Sequence, residues 1–353
     1  MSDQPAIPTH WPRAHGGPAG SGRLRARPEH FVVIEELGFE PDGEGEHRLL
    51  KVRKERANTV WVARALAKVA GVADREVGYA GLKDRHAITE QFFTVPARRG
   101  PDLDGWRSVA GEGFRVLDCV PTRRKLRRGA HRGNRFRITI TELESDRERL
   151  AAVLAALATQ GAPNYFGAQR FGREGANLGL AQRWFAEGRA PRGRTERSFA
   201  LSAARATIFN AVLAARVGAG NWDRLEVGDV ANLDGSGSIF VVEALDPDLE
   251  RRCRELDLHP TGPLWGRGEP RVREVPAALE RAVGERHEVF ASGLAAAGLE
   301  QERRALRIRV GALEWAFEGG DLTLGFELPR GAFATAVIAE LVEWRDTAPV
   351  EVE

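Results

Sequence analysis

Alternation of apolar and polar residues dominates the first 160 positions. RFRITITEL, residues 135–143, sets Phe136, Ile138 and Ile140 on one face and Arg137, Thr139 and Thr141 on the other. That two-residue period is the pattern of a half-buried strand. EHFVVIEE (29–36) predicts a first strand, ITEQFFTVP (88–96) a β-branched and aromatic strand closed by proline, and FRVLDCV (114–120) another. Helical signals lie between them. Asn58 or Thr59 caps a helix running to about Ala70, with Gly71 as its stop. Ser145 and Glu148 form a capping box for a second helix, with Leu150, Val153, Leu154 and Leu157 as its stripe and Gly161 as its end.

Beyond residue 160 the pattern becomes mainly helical. Ser202 is positioned to cap a helix through Val217 whose stripe is Ile208, Phe209, Val212 and Leu213, and a second helical stretch covers about 276–297. Residues 189–197 and 235–237 predict loops. Alternation returns in LTLGFEL (322–328), PRG turns the chain, and 333–344 predicts a final helix. Strands before about 160 and after about 308, with helices between, imply an α+β fold whose sheet domain is interrupted by a helix-rich insertion. The expected division is a disordered Pro/Gly leader over 1–22, a discontinuous domain of 23–159 plus 308–353, and an insertion over 160–307.

Composition adjusts this picture at a few points. The 353 residues suit two domains with real cores. Net charge is only +2, but PTRRKLRRGAHRGNRFR (121–137) holds eight Arg or Lys and no acid, whereas the last sixteen residues hold five acids and one Arg. Cys119 and Cys253, far apart, offer neither metal-ligand spacing nor a disulfide framework. The chain shows no run of about 18 apolar residues and its first residues lack the apolar segment of a signal peptide, so a cytoplasmic protein without a membrane span is expected. No long exposed apolar surface is evident, and a monomer is expected. The chain uses 47 Arg and five Lys, so each lysine stands out. Its two tyrosines, Tyr79 and Tyr165, fall in GYAGLKD and NYFGAQRFG.

GYAGLKDRHAITEQ (78–91) crowds Lys83, Asp84, Arg85 and His86 onto one turn between apolar runs. A carboxylate there can act as a nucleophile, with Lys83 or Arg85 keeping it charged and the glycines allowing close approach. A solvated turn whose Asp caps the next segment fits the same spacing. His86 titrates near neutrality and is an acid–base candidate. The 121–137 run suits phosphates, with Gly129 and Gly133 keeping it pliable; a solvated charged face fits equally. Asn134 offers an amide to a base edge and Phe136 a ring to stack on a base, though the alternation also makes Phe136 a core residue. Phe31 and Phe333 have equally plain core readings. NYFGAQRFG looks like a tight turn packed by aromatics, with Arg170 a candidate phosphate contact.

GYAGLKDRHAITEQ, HRGNRFRI, PNYFGAQRFG, RSFALSAARATIFN and LPRGAFATAVIAEL occur in this order, with EHFVVIEE and GEGEHRLL near the N-terminus. Together they closely resemble the TruD family of pseudouridine synthases, over about residues 24–345. The resemblance implies a pseudouridine synthase catalytic domain, with a mixed and mostly antiparallel sheet, interrupted by a family-specific TRUD domain. It implies isomerisation of uridine to pseudouridine at position 13, in the D arm of tRNA. It places the catalytic aspartate on Asp84 and substrate-binding positions on Phe31, Asn134, Phe136 and Phe333, with Lys83 a candidate to pair with the nucleophile. Residues 129–131 and the flanking arginines match the tRNA-facing loop. Nothing is oxidised and no group is imported, so neither metal nor organic cofactor is expected. Attack at the base, attack at the sugar carbon and assistance to elimination all stay open. Two rival readings are a non-catalytic RNA-binding or chaperone protein on the same scaffold, and a nucleoside hydrolase recruiting Glu90 as a second carboxylate.

Overall fold

The computed structural model describes residues 11–346. The chain forms two compact units. Among the described residues, one comprises 20–146, 310–331 and 342–346; the other takes 11–19, 147–309 and 332–341. The helix-rich unit therefore includes Arg147–Gln160 and Ala334–Leu341 as well as the expected insertion.

Among the described residues the first unit is built on an eleven-stranded mixed sheet. From one edge its strands run Gly311–Glu318, Asp321–Pro329, His131–Ser145, Phe31–Leu37, Ile88–Pro96, His47–Glu55, Phe114–Thr122 and Ala110–Gly111. Gly20–Leu24 pairs with His131–Ser145 and with Glu343–Asp346, and Gly78–Tyr79 pairs with Ile88–Pro96. Among the described residues the parallel neighbours are Phe31–Leu37 with Ile88–Pro96 and Gly20–Leu24 with Glu343–Asp346. The rest are antiparallel, as expected. Helix Thr59–Ala70 starts where the sequence places it: Asn58 Oδ1 accepts from Val60 N–H at 2.8 Å, and Gly71 ends it in the left-handed region that glycine favours. Val62, Leu66 and Ala70 are buried with Leu50, Val52, Phe93 and Val95 of the sheet.

In the second unit, helix Arg194–Gly218 forms the core, burying Ala200, Ala204, Ile208, Phe209, Val212 and Leu213. It is long and apolar enough to cross a membrane by length and composition, but these buried side chains make it a core helix. Ser202 lies inside it. The helix begins at Arg194, where Glu196 Oε2 accepts from Gly193 N–H, so residues expected as a loop join it. A four-stranded antiparallel sheet, in the order Ile239–Val241, Val230–Leu233, Leu258–Leu264 and Glu302–Ala305, completes this unit. The sequence did not announce it, because its strands are short and Leu258–Leu264 carries Pro260 and Pro263.

Other boundaries also move. His131–Ser145 stays extended through Ser145, so the next helix starts at Arg147 and Ser145 is not its cap. The stretch 276–297 divides at His287 into Glu274–Arg286 and Glu288–Ala296. The final helix stops at Leu341, since Glu343–Asp346 pairs as a strand with Ser21–Leu24. Of the expected leader, residues 1–10 lie outside the described residues. From Trp11 onward the chain makes specific contacts: Trp11 stacks on Tyr165 at 5.6 Å, and His15 Nε2 lies 2.8 Å from the Gly161 carbonyl.

Candidate active site

The turn carrying Asp84 is pinned on both sides. Thr59 Oγ1 accepts from Lys83 N–H at 3.1 Å and donates to Gln91 Oε1 at 3.2 Å. Gln91 Nε2 donates to the Gly81 carbonyl at 2.6 Å. Upstream, Gly78 presses against the basic stretch, where a Cβ would stand 2.4 Å from the Leu126 carbonyl oxygen, so only glycine fits.

Both carboxylate oxygens of Asp84 are engaged, yet its side chain is 24% exposed. Oδ1 accepts from the His86 backbone N–H at 2.9 Å, the contact expected of a turn whose Asp caps the next segment. Oδ2 forms an ion pair with Arg25 Nη1. Arg25 also donates through Nε to Asp346 Oδ1 at 3.1 Å and lies 5.2 Å above the Phe31 ring centre. Burial works against the Arg25 charge, but Asp346 and Asp84 outweigh it and raise its pKa. The cation on the carboxylate is therefore Arg25, not Lys83 or Arg85.

Lys83 has other partners. Its Nζ donates to Asn134 Oδ1 at 2.7 Å and pairs with buried Glu35 Oε2 at 2.8 Å. Glu35 and Asn134 are register partners on adjacent strands, so one ammonium joins both. With Oδ1 of Asn134 occupied by Lys83, the Nδ2 donor is the end that can meet a carbonyl. Phe31 stands edge-on to Phe136 at 6.4 Å, and Phe136 stacks on Phe326 at 5.3 Å. Both rings are buried, as their core reading expects; Phe31 opens its strand beneath Arg25, and Phe136 lies two residues beyond Asn134 inside its own strand.

Lys54 is a further buried cation. Its Nζ donates to the carbonyls of Ala57 and Asp84, each at 3.0 Å, and of Lys83 at 3.4 Å. Burial pulls its pKa down to about 8, with the Asp84 charge opposing and Lys83 adding to the shift. Sequence reasoning missed Arg25, Lys54 and Glu35. The scarcity of lysine that marked Lys83 applied equally to Lys54. Phe31, Val33 and Glu35 share one buried strand face, so an acid at the third core position was the signal for Glu35.

The remaining candidates divide. Phe333 belongs to the helix-rich unit, where it lies 6.2 Å from Phe166 and 5.6 Å from the Arg170 guanidinium, and Arg170 donates to Ser202 Oγ at 2.8 Å. Glu90 is held by Lys51 at 2.7 Å and Arg53 at 3.8 Å. Arg53 and Glu90 are register partners while Lys54 pairs with Thr89, which puts Glu90 on the sheet face opposite Lys54. A second carboxylate beside Asp84 is not supplied there, and the hydrolase reading loses its support. All eight cations of 121–137 are exposed. The loop 123–130, which carries five of them, docks on the run leading to Asp84: Gly129 N–H donates to the Ala80 carbonyl at 2.8 Å and Arg128 lies 4.2 Å over the Tyr79 ring.

The family model for tRNA pseudouridine synthase D (TruD) matches residues 14–184 and 194–341. The chain belongs to the TruD family. Two relatives named tRNA pseudouridine synthase D support this. That of Nitrosococcus oceani is 47% identical over 338 residues, covering 94% of each chain. That of Methylococcus capsulatus is 48% identical over 342 residues, covering 95% of this chain and 96% of its own. A crystal structure of a Methanosarcina mazei protein described as a tRNA pseudouridine synthase D shares the fold at a TM-score of 0.70, with 20% identity over 94% of this chain and 95% of that one. The mixed α+β architecture is thus a TruD fold.

Proposed function

We propose that this chain isomerises uridine to pseudouridine at position 13, in the D arm of tRNA, with Asp84 as nucleophile. The coarser statement, an isomerase acting on uridine in tRNA, follows from its place in the TruD family and from relatives named for that reaction. The observation that supports the finer one is Asp84: a partly exposed carboxylate on a pinned turn, paired with a buried Arg25 that also stacks on Phe31.

The chemistry suits these groups. The N1–C1′ bond breaks, the uracil turns, a C5–C1′ bond forms, and a proton leaves C5 as N1 gains one. A target base must first leave its stack. Phe31 and Phe136 then supply ring contacts, and Asn134 Nδ2 donates to a uracil carbonyl. Asp84 supplies the electron pair, and Arg25 holds the carboxylate charged and aimed. The balanced rearrangement uses neither oxidant nor imported group, so the chemistry calls for no cofactor. The proposal includes Phe333 as a fourth pocket residue, a catalytic domain of 23–159 plus 308–353, an insertion over 160–307, a monomer and a cytoplasmic location.

The experiment is pseudouridine-selective carbodiimide labelling of tRNA incubated with each protein. Asp84→Asn should lose turnover by roughly a thousandfold or more while binding the same tRNA unchanged. Normal turnover by Asp84→Asn would remove Asp84 from the mechanism.

A further inference from the structure

One cavity of the sheet unit takes no part in this chemistry. It measures about 620 Å3 and opens where strand His47–Glu55 runs into helix Thr59–Ala70, lined by Glu55, Arg56, Asn58, Trp61, Arg85 and Glu112 among others. Binding pockets span about 300–1,000 Å3, so a nucleobase with its sugar fits. Trp61 is 42% exposed, meeting Phe114 only edge-on at 5.8 Å. Its helix buries Val62, Ala63 and Leu66 instead, so the indole is surplus to the core. Arg56 and Arg85 converge on the same cavity, with Arg85 Nε donating to the Arg56 carbonyl at 3.1 Å.

The cavity adjoins Asp84. Arg85 is the next residue in the chain. Lys54 Nζ lies 3.0 Å from the carbonyl oxygens of both Ala57, in the cavity wall, and Asp84. One buried cation thus ties the cavity wall to the turn bearing the nucleophile.

We infer that this cavity receives the base of the nucleotide next to the target uridine, stacked on Trp61 with its phosphate at Arg56 and Arg85. The inference rests on the tRNA reading above. Extruding one base deprives its neighbour of a stacking partner, and an exposed indole replaces that partner without regard to sequence. Guanidinium groups match phosphate geometry. Glu55 and Glu112 add selectivity, because carboxylates only accept hydrogen bonds. They favour a base edge that presents several donors, such as guanine's N1–H and amino group, over uracil with its single N3–H donor.

A binding cycle tests this. Trp61→Leu keeps an apolar cover on Phe114 and removes the stacking face. Fluorescence anisotropy would compare wild type and variant on an unmodified tRNA transcript and on transcripts abasic immediately 5′ or 3′ of the target uridine, with pseudouridine formation followed in parallel. Trp61→Leu should bind the intact transcript roughly tenfold more weakly. On one of the two abasic transcripts that penalty should vanish. An equal penalty on all three transcripts, or none on the intact one, overturns the proposal while wild-type turnover stays normal. If Trp61→Leu does not fold by circular dichroism, Arg85→Gln replaces it, measured against a methylphosphonate at either phosphate flanking the uridine. Its binding penalty should then vanish at one of the two phosphates, and an equal penalty at both, or none on the intact transcript, overturns the proposal. Failure of the wild type to make pseudouridine would instead overturn the tRNA reading and this proposal with it.

Discussion

At the scale of single residues, the site turns on how charges are shared. Arg25 serves two carboxylates, Asp84 and Asp346, and covers the Phe31 ring. Charge-assisted contacts of this kind are the strong ones, and they fix direction as well as charge. Arg25→Leu should lower kcat about a hundredfold with little change in tRNA affinity, and Arg25→Lys should recover part of the loss, because a lysine keeps the charge but not the fork. Steady-state kinetics on a tRNA transcript check this, and an unchanged kcat in Arg25→Leu would show that the ion pair is structural only. The turn that carries Asp84 was legible because its motif is local. Arg25 was not: it lies 59 residues away from its partner, and one Arg among 47 carries little signal. Lys83 was noticed for its rarity but assigned the wrong partner, since its actual acceptors, Glu35 and Asn134, come from two strands that meet only in the folded sheet.

At the scale of elements, helix Ala334–Leu341 gathers the chain's early residues. Buried Glu340 Oε2 accepts the backbone N–H groups of Ala14 at 2.9 Å and His15 at 3.1 Å. Burial raises its pKa to about 7, against the pull of those two donors and Arg13. The folded state therefore binds the proton more tightly than the unfolded chain, whose Glu titrates near 4.3. The stabilising contribution is fully present below that value and is lost as pH rises through about 7. Above pH 7 the buried carboxylate costs about 3 kcal/mol. Glu340→Gln keeps an oxygen acceptor without the charge, so its Tm should exceed that of the wild type by several degrees at pH 8 and the gap should close towards pH 5. Thermal melts at both pH values decide, and a gap independent of pH would contradict the assignment. Elements with strict periods and local caps, such as Thr59–Ala70 and Ile88–Pro96, were legible almost to the residue. Those that depend on a distant partner were not, and Glu343–Asp346 is the plainest case: Glu343 and Trp344 were expected to end the last helix, but the segment is a strand because residues 21–24 offer it an edge.

At the scale of the whole chain, a net charge of +2 conceals eight exposed cations, five on the loop 123–130 and three on the strand that follows it, beside the turn that bears Asp84. Such a loop is the electrostatic footprint of a phosphate backbone. The interruption of a sheet unit by a helix-rich segment was visible as a change of hydrophobic period. The small sheet inside that segment was not, because Pro260 and Pro263 mask one strand and the others span only three or four residues. The central claim is that Asp84 reacts with an extruded uridine. A structure of the Asp84→Asn protein bound to unmodified tRNA tests it most directly. The account predicts the uridine of position 13 swung out of its stack, with residue 84 against its sugar or base and Asn134 on a uracil carbonyl. An extruded pyrimidine lodged away from residue 84 would contradict it.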